Sequence, residues 1–348
     1  MNQVKTSSAT GDTTVARQPR LTFAQAVLEA IRTEMQADSS IFYLGQDVGT
    51  FGGVMQGTQG LLEEFGPQRI LETPISESSM TGLGLGASLL GCKPIVELSF
   101  GEFLPAAMNQ LINQAPNLHY LSAGAVTPRA VIRTRMGDGP YGGHPQDYSV
   151  WFCHTPGIKV VMPATPSDAY GLMRAAIHDP APVLFIESMS LSHGRREVVD
   201  LDAPALPIGP AAVARHGKDL TLVAYGSQLP PALRAADKAA EQGIDVEVID
   251  LRSLLPWDED TVIGSVRKTG RLLTVHEAWK AFGHGAEVIA RVLEVLGPEN
   301  RPVQVARVGA RPVPIPTGPL RKLVLPSLDD ILAAILRCTS AGAAAHHA

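Results

Sequence analysis

The sequence predicts two α/β domains in tandem, each built on a mainly parallel sheet. Short runs rich in β-branched residues alternate with helix-like segments, and most of these runs are apolar throughout. Strands that are apolar on both faces are typical of parallel sheets covered by helices on both sides. Prolines and glycines interrupt the alternation at 200–212 and predict a domain boundary there. We therefore expect domains at 21–199 and 213–338, joined by that linker, with disordered tails at 1–20 and 339–348.

The elements of the first domain can be assigned in chain order. A helix is predicted within 21–35, because apolar residues recur at the helical period and Thr22 with Gln25 matches a capping box. Helices are also expected at 103–115 and 167–179. The strands are predicted at 40–45, 93–100, 129–135, 158–164 and 182–187.

The second domain repeats the alternation of strands and helices. Its strands are predicted within 220–227, 245–258, 271–278 and 303–309. Its helices are predicted at 229–242, 283–296 and 327–337. This order of elements again favours a parallel sheet.

Composition excludes several classes of function. A chain of 348 residues with 45% hydrophobic and 18% charged residues is globular, and a formal net charge of −5 gives no reason to expect nucleic acid or an anionic membrane as partner. Cys92, Cys153 and Cys338 lie far apart without metal-ligand spacing, so we expect reduced thiols in a cytoplasmic protein. The polar N-terminus lacks the apolar core of a signal peptide, and no apolar run approaches the roughly 20 residues that span a bilayer.

A glycine-rich run, "SESSMTGLGLGASLLG" at 76–91, has more than one interpretation. It could be a helix of small residues that packs closely against a neighbour. Gly82, Gly84 and Ala87 also match the dinucleotide fingerprint G-x-G-x-x-A, with Glu102 twenty residues beyond Gly82. That fingerprint needs a strand leading into its first glycine, and "SESSMT" stands there instead, so we reject the fingerprint and keep a nicotinamide-dependent dehydrogenase only as the least favoured enzyme alternative.

The stretch "RILETPISESSMTGLGLGASLLGCKPIVELSF" at 69–100 resembles the beta chains of the thiamine-diphosphate-dependent 2-oxo acid dehydrogenases. These are the decarboxylating first components of the pyruvate, branched-chain and acetoin complexes. The resemblance runs in order from about 21 to 336 and includes "HPQDYSVWFCHTPGIKVV" at 144–161 and "EVIDLRSLLPWDEDTV" at 247–262. It implies a pyrimidine-binding domain followed by a C-terminal transketolase-like domain.

The same resemblance implies an assembly and a reaction. The chain would join a separate alpha chain in a heterotetramer of two alpha and two beta chains, with thiamine diphosphate bound at the alpha–beta interfaces. The enzyme would decarboxylate a 2-oxo acid, or cleave acetoin, and pass the acyl unit to a lipoyl-bearing acyltransferase. A two-chain, transketolase-like enzyme that makes a carbon–carbon bond is the alternative, and a non-catalytic scaffold that keeps the fold is a further one.

Three residues carry the implied cofactor site. Glu77 matches the glutamate of P-[IL]-[SA]-E, which hydrogen-bonds a ring nitrogen of the cofactor's aminopyrimidine. Burial would favour the protonated form of its carboxyl group. Phe103 matches an aromatic position that packs on the aminopyrimidine, and His144 matches an active-site histidine that donates a proton or orients the acyl acceptor. Judged without the family, the three would be a helix cap, a core phenylalanine and a loop histidine.

The sequence departs from the family pattern near two of these positions. The family's "HSQ" reads "HPQ" here, with Pro145 in place of serine, and the preceding loop is shorter than in the pyruvate enzymes. Gln46 replaces the glutamate of the family's "GEDV". Glutamine carries neither a proton nor a charge, so any relay through this position would be altered. Both departures keep the carbon–carbon bond-forming alternative open.

Metal sites are implied as well. The segment 175–182 resembles the family's structural potassium loop, with Asp179 and the carbonyls of Ala176, Ile177 and Ala130 as candidate ligands; an ordinary helix-to-strand turn is the alternative. Magnesium would bind through GDG followed by asparagines. "GDG" occurs at 137–139, but no asparagine follows at the required spacing, so we interpret it as a coincidence. The alpha chain would then supply most Mg²⁺ ligands, and the beta chain alone would be inactive.

Overall fold

The structure is a computed structural model that describes residues 18–139 and 143–340. Its strands are β1 Arg20–Leu21, β2 Ile41–Gly45, β3 Ile70–Glu72, β4 Lys93–Leu98, β5 Val131–Met136, β6 Lys159–Val161, β7 Val183–Ser188, β8 Glu197–Val198, β9 Ala212–Arg215, β10 Leu220–Ala224, β11 Val246–Asp250, β12 Ser253–Leu255, β13 Arg271–Trp279 and β14 Gln304–Ala310. Its α-helices are α1 Phe23–Ala37, α2 Leu61–Phe65, α3 Glu77–Ser88, α4 Asn117–Leu121, α5 Ser149–Cys153, α6 Pro166–His178, α7 Leu229–Ala240, α8 Glu259–Thr269, α9 His284–Leu296 and α10 Leu328–Ser340.

The larger sheet has the strand order β12-β6-β7-β5-β4-β2-β3. Its strands run parallel except β12, which pairs antiparallel with β6. β12 comes from the second half of the chain, after a turn at Arg252 with φ 59°. The sequence predicts that 245–258 belongs to the second domain. That prediction is wrong for β12, because an apolar pattern does not reveal which sheet a strand joins. The two halves of the chain therefore share this sheet.

The second sheet has the order β14-β13-β10-β11-β9 and is parallel except at β9, which pairs antiparallel with β11. Helices α7, α9 and α10 begin within one residue of their predicted starts. Two mainly parallel sheets in tandem confirm the predicted fold class. The short antiparallel strand β9 has no separate signal in the sequence.

The predicted capping box of α1 is confirmed, since the Thr22 side chain accepts from Gln25 N and the Gln25 side chain accepts from Thr22 N. The predicted α-helix at 103–115 is wrong in type. Residues Gly101–Ala107 form a 3-10 helix and Asn109–Gln114 a π-helix. Pro105 lies inside the first of these, and proline lacks the N–H that an α-helical hydrogen bond needs. This irregular segment carries Phe103.

The larger sheet buries a cluster of charged side chains at its centre. Glu97 on β4 lies 3.2 Å from Arg133 and 2.9 Å from Arg135, both on β5. Arg133 also pairs with Glu187 on β7, and Tyr43 on β2 donates its hydroxyl to Glu97. Two cations and two carboxylates balance, which is the condition under which buried charges are tolerated. The cluster links four adjacent strands beneath the loops that carry the site.

The predicted tails lie mostly outside the described residues. Arg20, which we placed in the N-terminal tail, pairs with Val198 in the ribbon of β1 and β8. At the other end α10 continues to Ser340. Within the described ranges no helix is both long enough and apolar enough to cross a membrane.

Candidate functional site

Glu77 stands in the first turn of α3, directly after Ser76 at the N-cap position. The Ser76 hydroxyl bonds Ser79 Oγ at 2.9 Å and does not cap the helix backbone. The Glu77 side chain is half-buried and has no hydrogen-bond partner among the described residues. Its burial is thus less complete in this chain by itself than we expected. A carboxylate in this state is available to a donor from outside the chain.

The glycines of α3 have two distinct environments. A Cβ on Gly84 would lie 2.4 Å from Val96 Cγ2 on β4, so this position requires glycine for close packing. Gly86 has no heavy atom within 4 Å of a built Cβ, and Gly82 has only Gln110 Cγ at 4.0 Å. The close-packing interpretation therefore holds inside the chain at Gly84. Gly82 and Gly86 face outward.

The outward face of α3 is apolar as well as small. Leu83 lies in α3 and is 50% exposed, and Ile75 and Leu90, which flank the helix, are 69% and 88% exposed. The glycines leave this face flat enough for another backbone to approach. We define Ile75, Gly82, Leu83, Gly86 and Leu90 as the α3 face.

The dinucleotide alternative does not fit the structure. β3 ends at Glu72, and α3 has already begun at Glu77, so Gly82 lies in the second turn of the helix. A phosphate-binding glycine has to form the turn between a strand and a helix. A nicotinamide-dependent dehydrogenase acting through this motif is therefore wrong.

His144 lies against the segment that carries Phe103. Its ring stacks on Phe100 at a centroid distance of 4.9 Å and meets Phe103 edge-on at 4.7 Å. Its Nδ1 lies 3.1 Å from Glu102 Oε2. The other oxygen of Glu102 accepts from Gln146 N at 3.2 Å. Glu102 therefore holds both the imidazole and the backbone beyond it.

Helix α3 packs against this same 3-10 segment. Gln110, in the π-helix that follows, donates from Nε2 to Ser78 Oγ at 2.9 Å, one residue from Glu77. The structure thus brings the start of α3 next to the segment that carries Phe103 and Glu102. Glu77, Phe103 and His144 therefore lie in one region, near the carboxyl ends of the strands of the larger sheet.

The second half of the chain holds the loop that carries His144. Gln146 Nε2 donates to Ile315 O at 2.9 Å, and Ile315 N donates back to Gln146 Oε1 at 3.1 Å. His144 itself has φ 55°, a left-handed conformation that costs a non-glycine residue about 1 kcal/mol or more. Contacts on both sides of the loop offset that cost.

The "GDG" loop before His144 is held by the second half too. Arg321 Nε lies 2.9 Å from Asp138 Oδ2, and Asp138 N donates to Glu277 on β13. Ser227 also donates to Glu277. Arg321 engages the Asp138 carboxylate, so a metal ion at this GDG would compete with a guanidinium group.

Glu277 is a buried carboxyl group between the two halves of the chain. Burial raises the pKa of Glu277 to about 7, although the hydrogen bonds from Ser227 and from the backbone of Asp138 act in the opposite direction. Its protonation state therefore changes near neutral pH. Glu277 adjoins the loop that leads to His144.

The candidate potassium ligands already have partners. Asp179 Oδ2 lies 2.6 Å from Lys159 Nζ, and its Oδ1 accepts from Ala181 N at 2.9 Å. The carbonyls of Ala130 and Ala176 accept from Val183 N at 2.9 Å and Asp179 N at 3.3 Å. A cation there would compete with the Lys159 ammonium group. The potassium site, including Ile177, stays a prediction, and no cluster of three His, Cys, Asp or Glu residues occurs in the described ranges.

Sequence reasoning missed residues that position the site. In the sequence, Glu102 matches only the distant acid of the dinucleotide fingerprint, and no motif identifies Phe100. Both stand in "ELSFGEF" beside Phe103, and that adjacency was the available signal. Glu277 and Arg321, in the second half of the chain, contact Asp138 in the first half. No local sequence pattern predicts such a contact. Gln46 donates to its neighbour Asp47 Oδ2 at 3.1 Å at the end of β2.

Comparison with known proteins covers most of the chain. Residues 20–193 match the family model "Transketolase, pyrimidine binding domain", and residues 209–331 match "Transketolase, C-terminal domain". The "Pyruvate dehydrogenase E1 component subunit beta, mitochondrial" of Pisum sativum is 41% identical over 327 residues, 91% of this chain and 90% of its own length. The "2-oxoisovalerate dehydrogenase subunit beta" of Bacillus subtilis is 40% identical over 79% of this chain and 84% of its own length.

Among solved structures, a "Split gene transketolase, inactive beta4 tetramer" superposes with a TM-score of 0.76 at 25% identity. The match covers 92% of this chain and 98% of that chain. Both domains of that fold are therefore present here in the same order.

Proposed function

This chain belongs to the thiamine-diphosphate-dependent 2-oxo acid dehydrogenase E1 beta subunits, and we propose that it forms one half of a decarboxylating enzyme whose other half is a separate alpha chain. The enzyme decarboxylates a 2-oxo acid and transfers the acyl unit to a lipoyl carrier. The observation that carries the proposal is Glu77, a half-buried carboxylate at the start of α3 without a partner in the described chain.

The residues present fit thiamine diphosphate. The cofactor, when bound, supplies the nucleophilic carbon that attacks the substrate's carbonyl group. Glu77 offers a carboxyl group that can share a proton with a ring nitrogen, and no described residue of this chain occupies that carboxyl group. Phe103 offers a half-buried aromatic face, which can pack on a flat ring without demanding a hydrogen bond.

His144 serves in this proposal as the group that donates or accepts a proton beside the substrate. Its Nδ1 faces Glu102, so its Nε2 is the nitrogen left to face the substrate. Glu102 is a positioning residue, since it fixes the orientation of the imidazole and holds Gln146 N at the same time. Phe100 stacks on the imidazole ring and Phe103 meets it edge-on, and both contacts restrict its orientation.

The alpha chain completes the site. This sequence lacks the asparagines that would follow GDG in a magnesium motif, and Arg321 engages Asp138. The diphosphate and Mg²⁺ would therefore bind mainly to the alpha chain. The α3 face, which is apolar and exposed here, supports an interface close to Glu77. A heterotetramer of two alpha and two beta chains, with a lipoyl-bearing acyltransferase as acceptor, is the assembly we propose.

The two-chain transketolase-like reaction is the second candidate, kept open by Gln46 and Pro145. Purified chain combined with its alpha partner, thiamine diphosphate and Mg²⁺ distinguishes the two. Release of CO₂ from pyruvate or a branched-chain 2-oxo acid supports the first function. Transfer of a two-carbon unit from a ketose phosphate, without CO₂ release, supports the second. A cytoplasmic location stays a prediction, and the Pisum sativum relative carries a mitochondrial name.

A further inference from the structure

A small pocket with a strong excess of positive charge lies beyond the carboxyl ends of β13 and β14. Its volume is about 200 Å³. We call it the basic pocket. One carboxylate, Asp330, faces five cationic side chains in its lining: Lys280, Arg307, Arg311, Lys322 and Arg337. The whole chain has a formal net charge of −5, so the positive charge of this pocket is opposite in sign to that of the chain.

The single carboxylate does not neutralise these cations. Asp330 Oδ2 accepts from Ser327 N at 2.9 Å and from Ser327 Oγ at 2.6 Å. Those hydrogen bonds, followed by the charges of Arg311 and Arg337, lower the pKa of Asp330. Arg307 donates to the Lys280 carbonyl at 3.1 Å. Within the described residues, none of the five cations lies within ion-pair distance of a carboxylate.

The backbone under the basic pocket is fixed by hydrogen bonds. Lys280 N donates to Ala310 O at 3.0 Å, which joins the ends of β13 and β14. Arg311 N donates to Val324 O at 3.0 Å, which ties the end of β14 to the segment that carries Lys322. Arg337 comes from α10. Separate elements thus bring five cationic side chains to the lining of one concavity, where one anion can pair with several of them.

The location is one where α/β folds bind ligands. Lys280 follows β13 directly, and Arg311 follows β14 directly. Both strands run parallel, so the pocket opens at the carboxyl edge of the sheet, the edge at which such sheets usually form binding sites. The lining does not include Glu77, Phe103 or His144. The basic pocket is therefore a different site from the one proposed for thiamine diphosphate.

We propose that the basic pocket binds the phosphoryl group of a small phosphorylated molecule. Guanidinium groups match phosphate oxygens in pairs, and three of the five cations are arginines. The volume suits a phosphoryl group with a short attached portion, and Leu323, Leu325 and Pro326 offer an apolar wall for that portion. The proposal does not depend on the function assigned above.

Isothermal titration calorimetry tests it on the full-length chain, purified with any partner that accompanies it and saturated with thiamine diphosphate and Mg²⁺. Saturation with the cofactor removes its own phosphate site from the measurement. The titrants are inorganic phosphate and AMP at constant ionic strength. We expect saturable binding with one site per chain, and tighter binding of AMP would identify an ester as the preferred ligand, whereas equal binding would identify free phosphate.

Two variants assign the binding to this pocket. Arg311→Gln should weaken it about tenfold, because one charge-assisted contact is lost. Arg234→Gln is the matched control, an exposed arginine on α7 that also changes the net charge by one. The proposal is overturned if neither titrant shows saturable binding. It is overturned equally if Arg311→Gln weakens binding no more than Arg234→Gln does.

Discussion

The carboxylate of Glu102 lies 3.1 Å from Nδ1 of His144, across 42 positions of sequence. The two residues meet because the 3-10 helix Gly101–Ala107 and the His144 loop lie side by side at the carboxyl edge of the larger sheet. The ring is thereby held from the side opposite the nitrogen that is left for substrate. His144 is thus positioned by a residue that the family motif did not identify.

Replacing Glu102 should reduce turnover more than substrate binding. We expect kcat to fall in the order wild type, Glu102→Gln, Glu102→Ala, by about tenfold or more for alanine, with KM changed by less than about threefold. Glutamine keeps one acceptor for His144 or Gln146, whereas alanine keeps none. Steady-state kinetics with the natural 2-oxo acid measure both constants. A kcat unchanged in Glu102→Ala would remove Glu102 from the positioning of His144.

Glu77→Gln should abolish most activity while leaving the fold intact. Loss of a proton-sharing carboxyl group costs about a hundredfold or more in kcat. The free energy of unfolding should change by less than about 1 kcal/mol, because the side chain makes only a helix-terminus interaction in the described chain. Single-turnover decarboxylation and thermal unfolding measure the two effects.

Glu63→Gln is the matched control for that variant, since Glu63 also stands in the first turn of a helix and is exposed. Its activity should equal the wild type. Full activity of Glu77→Gln would remove the residue from the mechanism.

Gly86 and Gly84 should respond in opposite ways to added side chains. A Cβ at Gly86 meets no described atom within 4 Å, and Gly86→Leu gains about 1 kcal/mol of helix propensity, so the chain alone should keep or raise its Tm. Its association with the alpha chain should weaken, because leucine disturbs the α3 face. Gly84→Ala should lower Tm, since its Cβ would lie 2.4 Å from Val96 Cγ2.

Analytical ultracentrifugation and calorimetry on both variants separate association from folding. Normal assembly of Gly86→Leu would place the subunit interface elsewhere.

The pH dependence of stability should carry a contribution from Glu277. Burial raises its pKa to about 7 from 4.5, so the folded state keeps a proton that the unfolded chain releases between these values. The unfolded state binds fewer protons in this window, and stability therefore falls as pH rises through it. Glu277→Gln removes this effect. The loss of unfolding free energy between about pH 5 and about pH 8 should shrink by about 2–3 kcal/mol.

Denaturant unfolding at the two pH values measures the difference in unfolding free energy. Glu63→Gln is the control variant, and it should show the same difference as the wild type. A variant with the wild-type dependence would mean that Glu277 is ionised throughout the range.

The sequence predicted the fold well where the signal is local. The capping box of α1 is recognisable within one segment. So are the apolar runs that form β2, β4, β5 and β7, because each is defined by its own composition. The 3-10 and π segments at 101–114 were missed in type because apolar spacing fits several helical forms, and the effect of Pro105 depends on packing. β12 was placed in the wrong sheet, since strand partners are set by the second half folding back over the first.

The site was predicted only in part for the same reason. Family motifs identified Glu77, Phe103 and His144, but motifs record residues and not the contacts that hold them. Glu102 and Glu277 act on the His144 loop through hydrogen bonds over long separations, 42 and 139 positions. No pattern within one segment contains that information.

Native mass spectrometry tests the central claim, that this chain holds half of a cofactor site, most directly. The chain should be measured alone and after purification with its associated partner, each with and without thiamine diphosphate and Mg²⁺. We predict a heterotetramer of two alpha and two beta chains that takes up two cofactors, while the chain alone takes up none. A chain that binds thiamine diphosphate by itself, or a partnered complex that takes up no cofactor, would contradict the account.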